Sequence, residues 1–463
     1  MNETVDSASP RRLREKIADY RERGATRVKL GLTDVDGVIR GKYVSLEKFA
    51  SLLEKGGGFC DCVLGWDVDD QLYDRAEFTG WHTGFPDARF RLVVATERWL
   101  ADENCPLFLG EFVADDDGPH PLCPRTRLGA LLERLAGHGL RLYSGFEYEF
   151  FVFRETPHSV RDKGYRGLQP LTPGNFGYSV LRLSSESERF GGLMDLMAAL
   201  RCDVEGLHCE TGPGVWEVAL TPAEGVEAAD RANLFKTFCK VFFQKQECMA
   251  TFMAKWSMRY PGQSGHYHFS LLDASGANLF HDPAADAGMS RMQRWAVAGL
   301  LRYLPEYLAL VAPTVNSYTR LVKGAWAPTA ATWGVENRTA AVRVIPGSAS
   351  RQHIEARVPG ADANPYLAAA AVVAAALGGI EERLEPPAPV AGNAYDYEAS
   401  LPAAARFPAT LDGAADRLEG SSHARGMLGD AFVEHFVTSR RFETEQYARH
   451  VNDWQLERYF EII

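Results

Sequence analysis

The sequence predicts an α+β protein built from more than one domain. Three observations support this. Stretches with strand alternation and stretches with helical spacing are intermixed along the chain. Their order is irregular and lacks the even β-α rhythm of a doubly wound sheet. Finally, 463 residues of ordinary globular composition, 46% hydrophobic and 24% charged, exceed a typical single domain. No internal repeat is visible.

Taken in order, residues 11–23 predict a charged helix that Gly24 can end. "TRVKLGLTDVDGVIRGKYVS" predicts two strands around a turn at Asp36–Gly37. "GVIRGK" within it invites a phosphate-loop reading, but its glycines are one residue too close and Tyr43 replaces the required Ser or Thr. The hairpin is the better reading. The Asp- and Pro-rich "ADDDGPHPLCPRTRL" predicts a junction between domains near residue 115. "RTRLGALLERLAGHG" has helical spacing, and residues 366–380, mostly alanine, predict a buried helix too short to span a bilayer. "EPPAPVAGN" predicts a loop ahead of a helical C-terminal end.

The formal net charge of -11 argues against a nucleic-acid grip. Residues 1–16 are polar and lack the apolar core of a signal peptide, so a cytoplasmic enzyme with no membrane partner is expected. The eight cysteines show no C-x-x-C pair and no zinc-ribbon spacing, and they predict reduced, mostly buried thiols.

In "GFEYEFFVF", period-two alternation puts Phe146, Tyr148, Phe150 and Val152 on one face and Glu147 with Glu149 on the other. Two carboxylates about 4 Å apart repel by about 4 kcal/mol at an effective dielectric of about 20. They are tolerated in water or around a cation. Taken alone, the pair fits a solvated strand face. The device recurs, however. "DVEGLHCETGPGVWEVAL" places Glu205, Glu210 and Glu217 around one hairpin. "GQSGHYHFSLL" puts His266, His268 and Ser270 on one face, and "RQHIEARV" does the same with His353, Glu355 and Arg357. Several such faces suggest one shared site. Its oxygen donors and few imidazoles favour Mg²⁺ or Mn²⁺ over zinc, which points to phosphate chemistry. Arg320, Arg338, Arg343 and Arg357 supply the cationic half. Any one of them could equally be a structural ion-pair partner. Four near a metal site fit a phosphate and a substrate carboxylate, which arginine matches with paired hydrogen bonds.

These segments, with "HCETGPGVWEV", "NSYTRL", "WGVENRTAAVRV", "IEARVPGADANPYLAAA" and "VNDWQLERY", resemble the type I glutamine synthetase family in the family's own order, from about Arg27 to the C-terminus. The resemblance implies an N-terminal β-grasp domain over 1–115. A catalytic domain of curved antiparallel strands flanked by helices would follow over 116–463. Protomers would assemble as a dodecamer of two hexameric rings, with active sites between neighbours. It implies one metal at Glu149, Glu210 and Glu217, and a second at Glu147, His266 and Glu355. It further implies ATP contacts at Glu205, His268 and Ser270, and L-glutamate contacts at Gly262, Arg320 and Arg357. Arg338 and Arg343 would face the phosphates. The reaction implied is phosphoryl transfer from ATP to the γ-carboxylate, then attack by an amine on γ-glutamyl phosphate.

Three departures from the family pattern bear on the amine. The loop read P-G-Y-E-A-P in ammonia-using members is "KGAWAP" here, so Trp326 replaces a carboxylate that helps capture ammonium. Pro261 replaces an Asn beside glutamate. The F-D-G-S-S segment has become "FCDCVLGWD", in which Asp61, with Asp67 and Asp69 close by, is the candidate to deprotonate the amine of the adjacent subunit. An indole is an apolar wall rather than an ammonium site. The expectation is therefore a γ-glutamyl ligase for a small organic amine. An ammonia-using synthetase and a non-catalytic ring are the alternatives. Tyr395 stands where enterobacterial synthetases carry an adenylylated tyrosine, but its surroundings differ, and it is read as an ordinary loop residue.

Overall fold

The structure, a computed structural model, describes residues 10–463; residues 1–9 of the polar N-terminal stretch lie outside the described residues. Strands β1 (Arg27–Thr33), β2 (Ile39–Ser45), β3 (Gly57–Cys60), β4 (Asp87–Leu92), β5 (Arg98–Leu100) and β6 (Cys105–Phe112) form a first sheet. Its order is β2-β1-β6-β4-β3, with β5 also on β6. The charged helix expected near the N-terminus is Pro10–Glu22, and Gly24 follows it with a positive φ. β1 and β2 are the expected hairpin, in register from Arg27 opposite Ser45 to Thr33 opposite Ile39. β6 runs parallel to β1, which a tight turn cannot achieve. The helix Leu46–Lys55 lies within the intervening chain. Ser45 caps it by accepting from Lys48 N at 3.2 Å, and Leu46, Phe49 and Leu52 are its buried residues. This is a β-grasp arrangement.

The second sheet holds β7 (Arg141–Phe153), β8 (Val204–Cys209), β9 (Val215–Leu220), β10 (Ala223–Glu224), β11 (Met249–Thr251), β12 (Gly265–Leu272), β13 (Trp333–Val335), β14 (Val342–Ile345) and β15 (His353–Ala356). The order is β13-β14-β15-β12-β7-β9-β8, with β10 and β11 also on β7. The 13-residue β7 is the spine. One of its faces is apolar: Phe146, Tyr148 and Phe150 are buried, and Phe235 and Phe243 of the helix Glu227–Gln244 pack on Tyr148 and Phe150. That leaves the alternate residues for chemistry.

The alanine-rich segment is the helix Pro365–Glu382, longer than expected. By length and composition it could cross a membrane, yet 89% of it is buried inside the fold. It packs on the helices Arg291–Tyr303 and Pro124–Gly137. The crossing is close enough to require glycine: a Cβ on Gly379 would meet Trp295 O at 2.1 Å, and one on Gly299 would meet Ala375 O at 2.3 Å. Asn364 caps this helix by accepting from Tyr366 N at 3.0 Å. The same side chain donates to Asp34 O and Val35 O at 3.1 Å, so one residue starts the core helix and holds the first hairpin's turn.

Other buried polar contacts join the two sheets' regions. Arg125 pairs with Glu111 and Asp230, and Tyr366 donates to Asp230 at 2.7 Å. Arg440 pairs with Asp36 at 2.6 Å. His435, on the helix Asp430–Ala448, donates to Leu64 O at 2.6 Å. All eight cysteines are free, six of them buried.

Replacing Gly379 by Ala should force this helix crossing apart and lower stability by about 1–3 kcal/mol. Gly129→Ala, in a helix with open space around the added methyl, should instead raise it by about 0.5–1 kcal/mol. Thermal unfolding of the two variants measures the contrast.

Burial pushes His435 down to about 4, and burial followed by the Arg127 charge does the same for His120. The unfolded chain binds protons below its ordinary histidine pKa, and the fold resists them, so stability falls from pH 7 toward 4. Between pH 7 and 5 each histidine should remove about 2 kcal/mol. Denaturant titrations at the two pH values should show the loss, and His435→Gln should cut it by about half.

Candidate active site

Strand register decides which side chains meet. Glu147 on β7 stands opposite His266 on β12, and Glu149 stands opposite Glu217 on β9. Glu217 in turn faces His208 on β8. His268 on β12 faces Glu355 on β15, which faces Arg343 on β14. Residues directly opposite share a face. One polar face therefore runs across six strands, back to back with the aromatic face of β7.

Two groups form on it. Glu147, His268 and Glu355 offer ligand atoms all within 4.8 Å of one another. His266 Nδ1 adjoins them, 3.2 Å from Glu147 and 3.4 Å from Glu355. His208, Glu210 and Glu217 form the second group, also within 4.8 Å. His208 Nε2 lies 3.0 Å from Glu210 and 3.4 Å from Glu217, and the Tyr178 ring stacks on it at 4.3 Å.

The electrostatics are uneven. Burial works against the charge on Glu147, but the neighbouring His266 and His268 hold it well below the usual carboxylate range. Glu355 sits at about 2, because Arg357, His266 and His268 outweigh its burial. Glu217 is pushed up to about 11, by burial and then by the charges of Glu147, Glu149 and Glu210. Burial disfavours the charge on His268, yet Glu147 and Glu355 raise its pKa. Its Nδ1 lies 3.2 Å from His353 Nε2, while its buried Nε2 makes no hydrogen bond and stands 3.6 Å from Glu147 Oε2. A crowd of hard oxygen donors with an unpaired imidazole nitrogen, one carboxylate too many for its own charge, suits a divalent cation.

Arg343 reaches Glu355 at 3.0 Å and Glu336 at 3.1 Å, and Arg357 also pairs with Glu355. Arg320 is buried and donates to the carbonyls of Val358 at 2.8 Å and Arg357 at 3.2 Å. Gly262 lies against it, where a Cβ would stand 2.6 Å from Arg320 Cγ. Arg338 is exposed, and its charge acts on Tyr178. Glu205, His268 and Ser270 line one cavity of about 290 Å³ together with Glu147, Tyr143 and His353.

Several placements differ from expectation. His268 also joins Glu147 and Glu355, at 3.6 Å from Glu147 against 3.2 Å for His266. Glu149 accepts from Ser264 N at 2.5 Å, and His208 rather than Glu149 completes the tight group with Glu210 and Glu217. Asp61, expected to serve a neighbouring subunit, is only 4% exposed in its own protomer, with Thr79 and Asp87 beside it. Asp69 is on the surface nearby. Trp326 is 63% exposed on its loop. His208 and Tyr178 escaped the sequence reading. Strand alternation already grouped His208 with Glu210, whereas Tyr178 comes from a loop with no periodic signal.

Residues 121–459 match the family model for the catalytic domain of glutamine synthetase. The chain belongs to the glutamine synthetase family. Type-1 glutamine synthetase 2 of Dictyostelium discoideum is 44% identical over 94% of this chain and 84% of its own length. The γ-glutamylethanolamide synthetase GlnA4 of Streptomyces coelicolor is 38% identical over 94% and 92%. The glutamate–isopropylamine ligase of a Pseudomonas species is 34% identical over 97% and 98%. The solved GmaS/ADP complex superimposes with a TM-score of 0.84 at 28% identity, covering 96% of this chain and 99% of that one. As a glutamine synthetase family member, the chain is an ATP-dependent ligase.

Glu217→Gln removes a carboxylate that its neighbours already repel. The variant's melting temperature without metal should equal or exceed that of the wild type, while the rise produced by millimolar Mn²⁺ should disappear. Thermal unfolding with and without Mn²⁺ reads both; a variant that kept the full rise would remove Glu217 from the metal site.

Proposed function

We propose that this enzyme joins a small organic amine to the γ-carboxylate of L-glutamate at the expense of ATP. The observation that carries the reading is the continuous polar face of the second sheet. It carries two carboxylate–imidazole groups, the first of which lines a cavity through Glu147 and His268, and Arg343 and Arg357 pair with its Glu355. Glu149, Glu210 and Glu217, with His208 adjoining, would hold one Mg²⁺ or Mn²⁺. Glu147, His266 and Glu355, with His268 adjoining, would hold a second. Bound ions would neutralise phosphate charge.

The protein's own groups do the positioning. Glu205, His268 and Ser270 line the cavity for the nucleotide. Arg320, held through two backbone carbonyls, would take part with Arg357 and Gly262 in orienting the glutamate carboxylate. Arg338 and Arg343 face the transferred phosphoryl group, which passes to a γ-carboxylate oxygen as ADP leaves. The amine nitrogen then attacks the acyl carbon, phosphate departs, and the nitrogen loses a proton to a carboxylate. Asp61 of a neighbouring subunit is the candidate base, provided that assembly turns it out of its buried position. We read residues 1–115 as the β-grasp domain and 116–463 as the catalytic domain of a cytoplasmic dodecamer of two hexameric rings.

Trp326 supports an organic amine over ammonium. Ammonium capture calls for negative charge, whereas an indole rewards apolar contact at ~25 cal/mol per Å². A few tens of Å² contribute about 1 kcal/mol, roughly a fivefold preference. The names of the Streptomyces and Pseudomonas relatives agree. The Dictyostelium relative, named a glutamine synthetase at 44% identity, favours ammonia as the second reading.

Phosphate release should depend on glutamate, ATP and an amine, and isopropylamine or ethanolamine should outperform ammonium. Trp326→Glu should lower kcat/KM for the best amine about fivefold and raise the use of ammonium. Ammonium as the best wild-type substrate would refute the amine assignment and leave the ligase assignment standing.

A further inference from the structure

Trp326 has little of its own to hold it in place. The residue is 63% exposed, and its backbone lies in the left-handed region at φ +58°, where a non-glycine residue stays only if its surroundings fix it. What fixes it comes from a distant stretch of chain. The Tyr395 hydroxyl donates to the carbonyl of Ala327, the next residue, at 2.9 Å. Glu398 takes Lys323 at 3.1 Å on one side of Trp326 and the Thr329 hydroxyl at 2.8 Å on the other. The Glu398 carboxylate is largely buried, at 16% exposure, so this is more than a passing surface pair.

The same stretch grips the other side of the site. Ala394 N donates to the Thr339 hydroxyl at 2.9 Å, and Asn337 donates to the carbonyl of Gly392 at 2.8 Å, which brackets Arg338. Tyr395 also lies close enough to Arg320 and Arg357 to sense their charges. The hydroxyl that the sequence left as an ordinary loop group is therefore half-buried and engaged.

We propose that Tyr395 and Glu398 are positioning residues that set the Trp326 loop and thereby the choice of amine. This rests on the amine-ligase reading above. Neither residue needs to touch the substrate. They fix where the indole stands relative to the arginines that orient glutamate, so their loss is felt in amine selection before it is felt in nucleotide binding.

The test is a double-mutant cycle on the intact enzyme with isopropylamine as the amine. Tyr395→Phe removes one oxygen and should raise the KM for isopropylamine about five- to tenfold, with KM for ATP within about twofold and the melting temperature unchanged. Glu398→Ala should act in the same direction. In a Trp326→Ala background the Tyr395→Phe effect should shrink to less than about twofold, because both changes act through one loop. Additive effects, an unchanged amine KM, or equal losses for isopropylamine, glutamate and ATP would overturn the proposal. If the wild type uses only ammonium, the amine reading fails by itself, and the cycle is run with ammonium. A raised ammonium KM coupled to residue 326 then upholds the positioning role, and an uncoupled one refutes it.

Discussion

The site depends on a contradiction held in place by strand pairing. β7 must bury Phe146, Tyr148 and Phe150 on one face, so period two leaves Glu147 and Glu149 no choice but the other. The partners in β9 and β15 bring further carboxylates to the same face, and β12 brings His266 and His268. The repulsion can be released neither by rotating a strand, which would expose the aromatics, nor by shifting register, which would reverse every side chain. Instead it is balanced locally. Histidines and arginines offset the charges of Glu147 and Glu355, while burial and the carboxylates around it push the pKa of Glu217 up. The apolar core thus imposes the charge pattern that the chemistry uses.

A second constraint fixes the two sheets relative to each other. Asn364 spends its carbonyl on the first turn of the core helix and its amide on the Asp34 and Val35 carbonyls. Gly37 comes so close that an added Cβ would sit 3.0 Å from Asn364 Cα. With Arg125, Asp230, Tyr366, Arg440 and Asp36, these contacts make a polar junction inside a largely apolar interior. Buried polar pairs are weak evidence of stability, but removing one partner strands the other. The junction therefore specifies orientation more than it adds strength.

Much of this was legible because alternation is a local rule. The polar faces of β7, β12 and β15, the hairpin at Asp36–Gly37 and the buried alanine helix follow from residues close together in sequence. What escaped depends on chain meeting distant chain. Tyr178 reaches His208 from a loop, and Tyr395 reaches Ala327 across 68 residues. A bulge between Val204 and Gly206 breaks the simple count along β8. Asp61 is turned inward where a short 3₁₀ turn, Asp61–Leu64, follows β3. Spacing predicts which residues share a face, and only packing says which faces meet.

The left-handed backbone at Trp326 has a consequence for anyone who would redesign this enzyme. At position 326 the backbone filters substitutions before any substrate does. Valine, isoleucine and threonine, whose branched Cβ fits the region poorly, carry a conformational penalty unrelated to the amine. Asparagine, aspartate and glycine adopt it readily. A library that samples all residues evenly would confuse loop distortion with altered selectivity. Pairing each candidate with a glycine reference at the same position separates the two. The geometry of one dihedral angle thus defines the accessible sequence space for changing what the enzyme accepts.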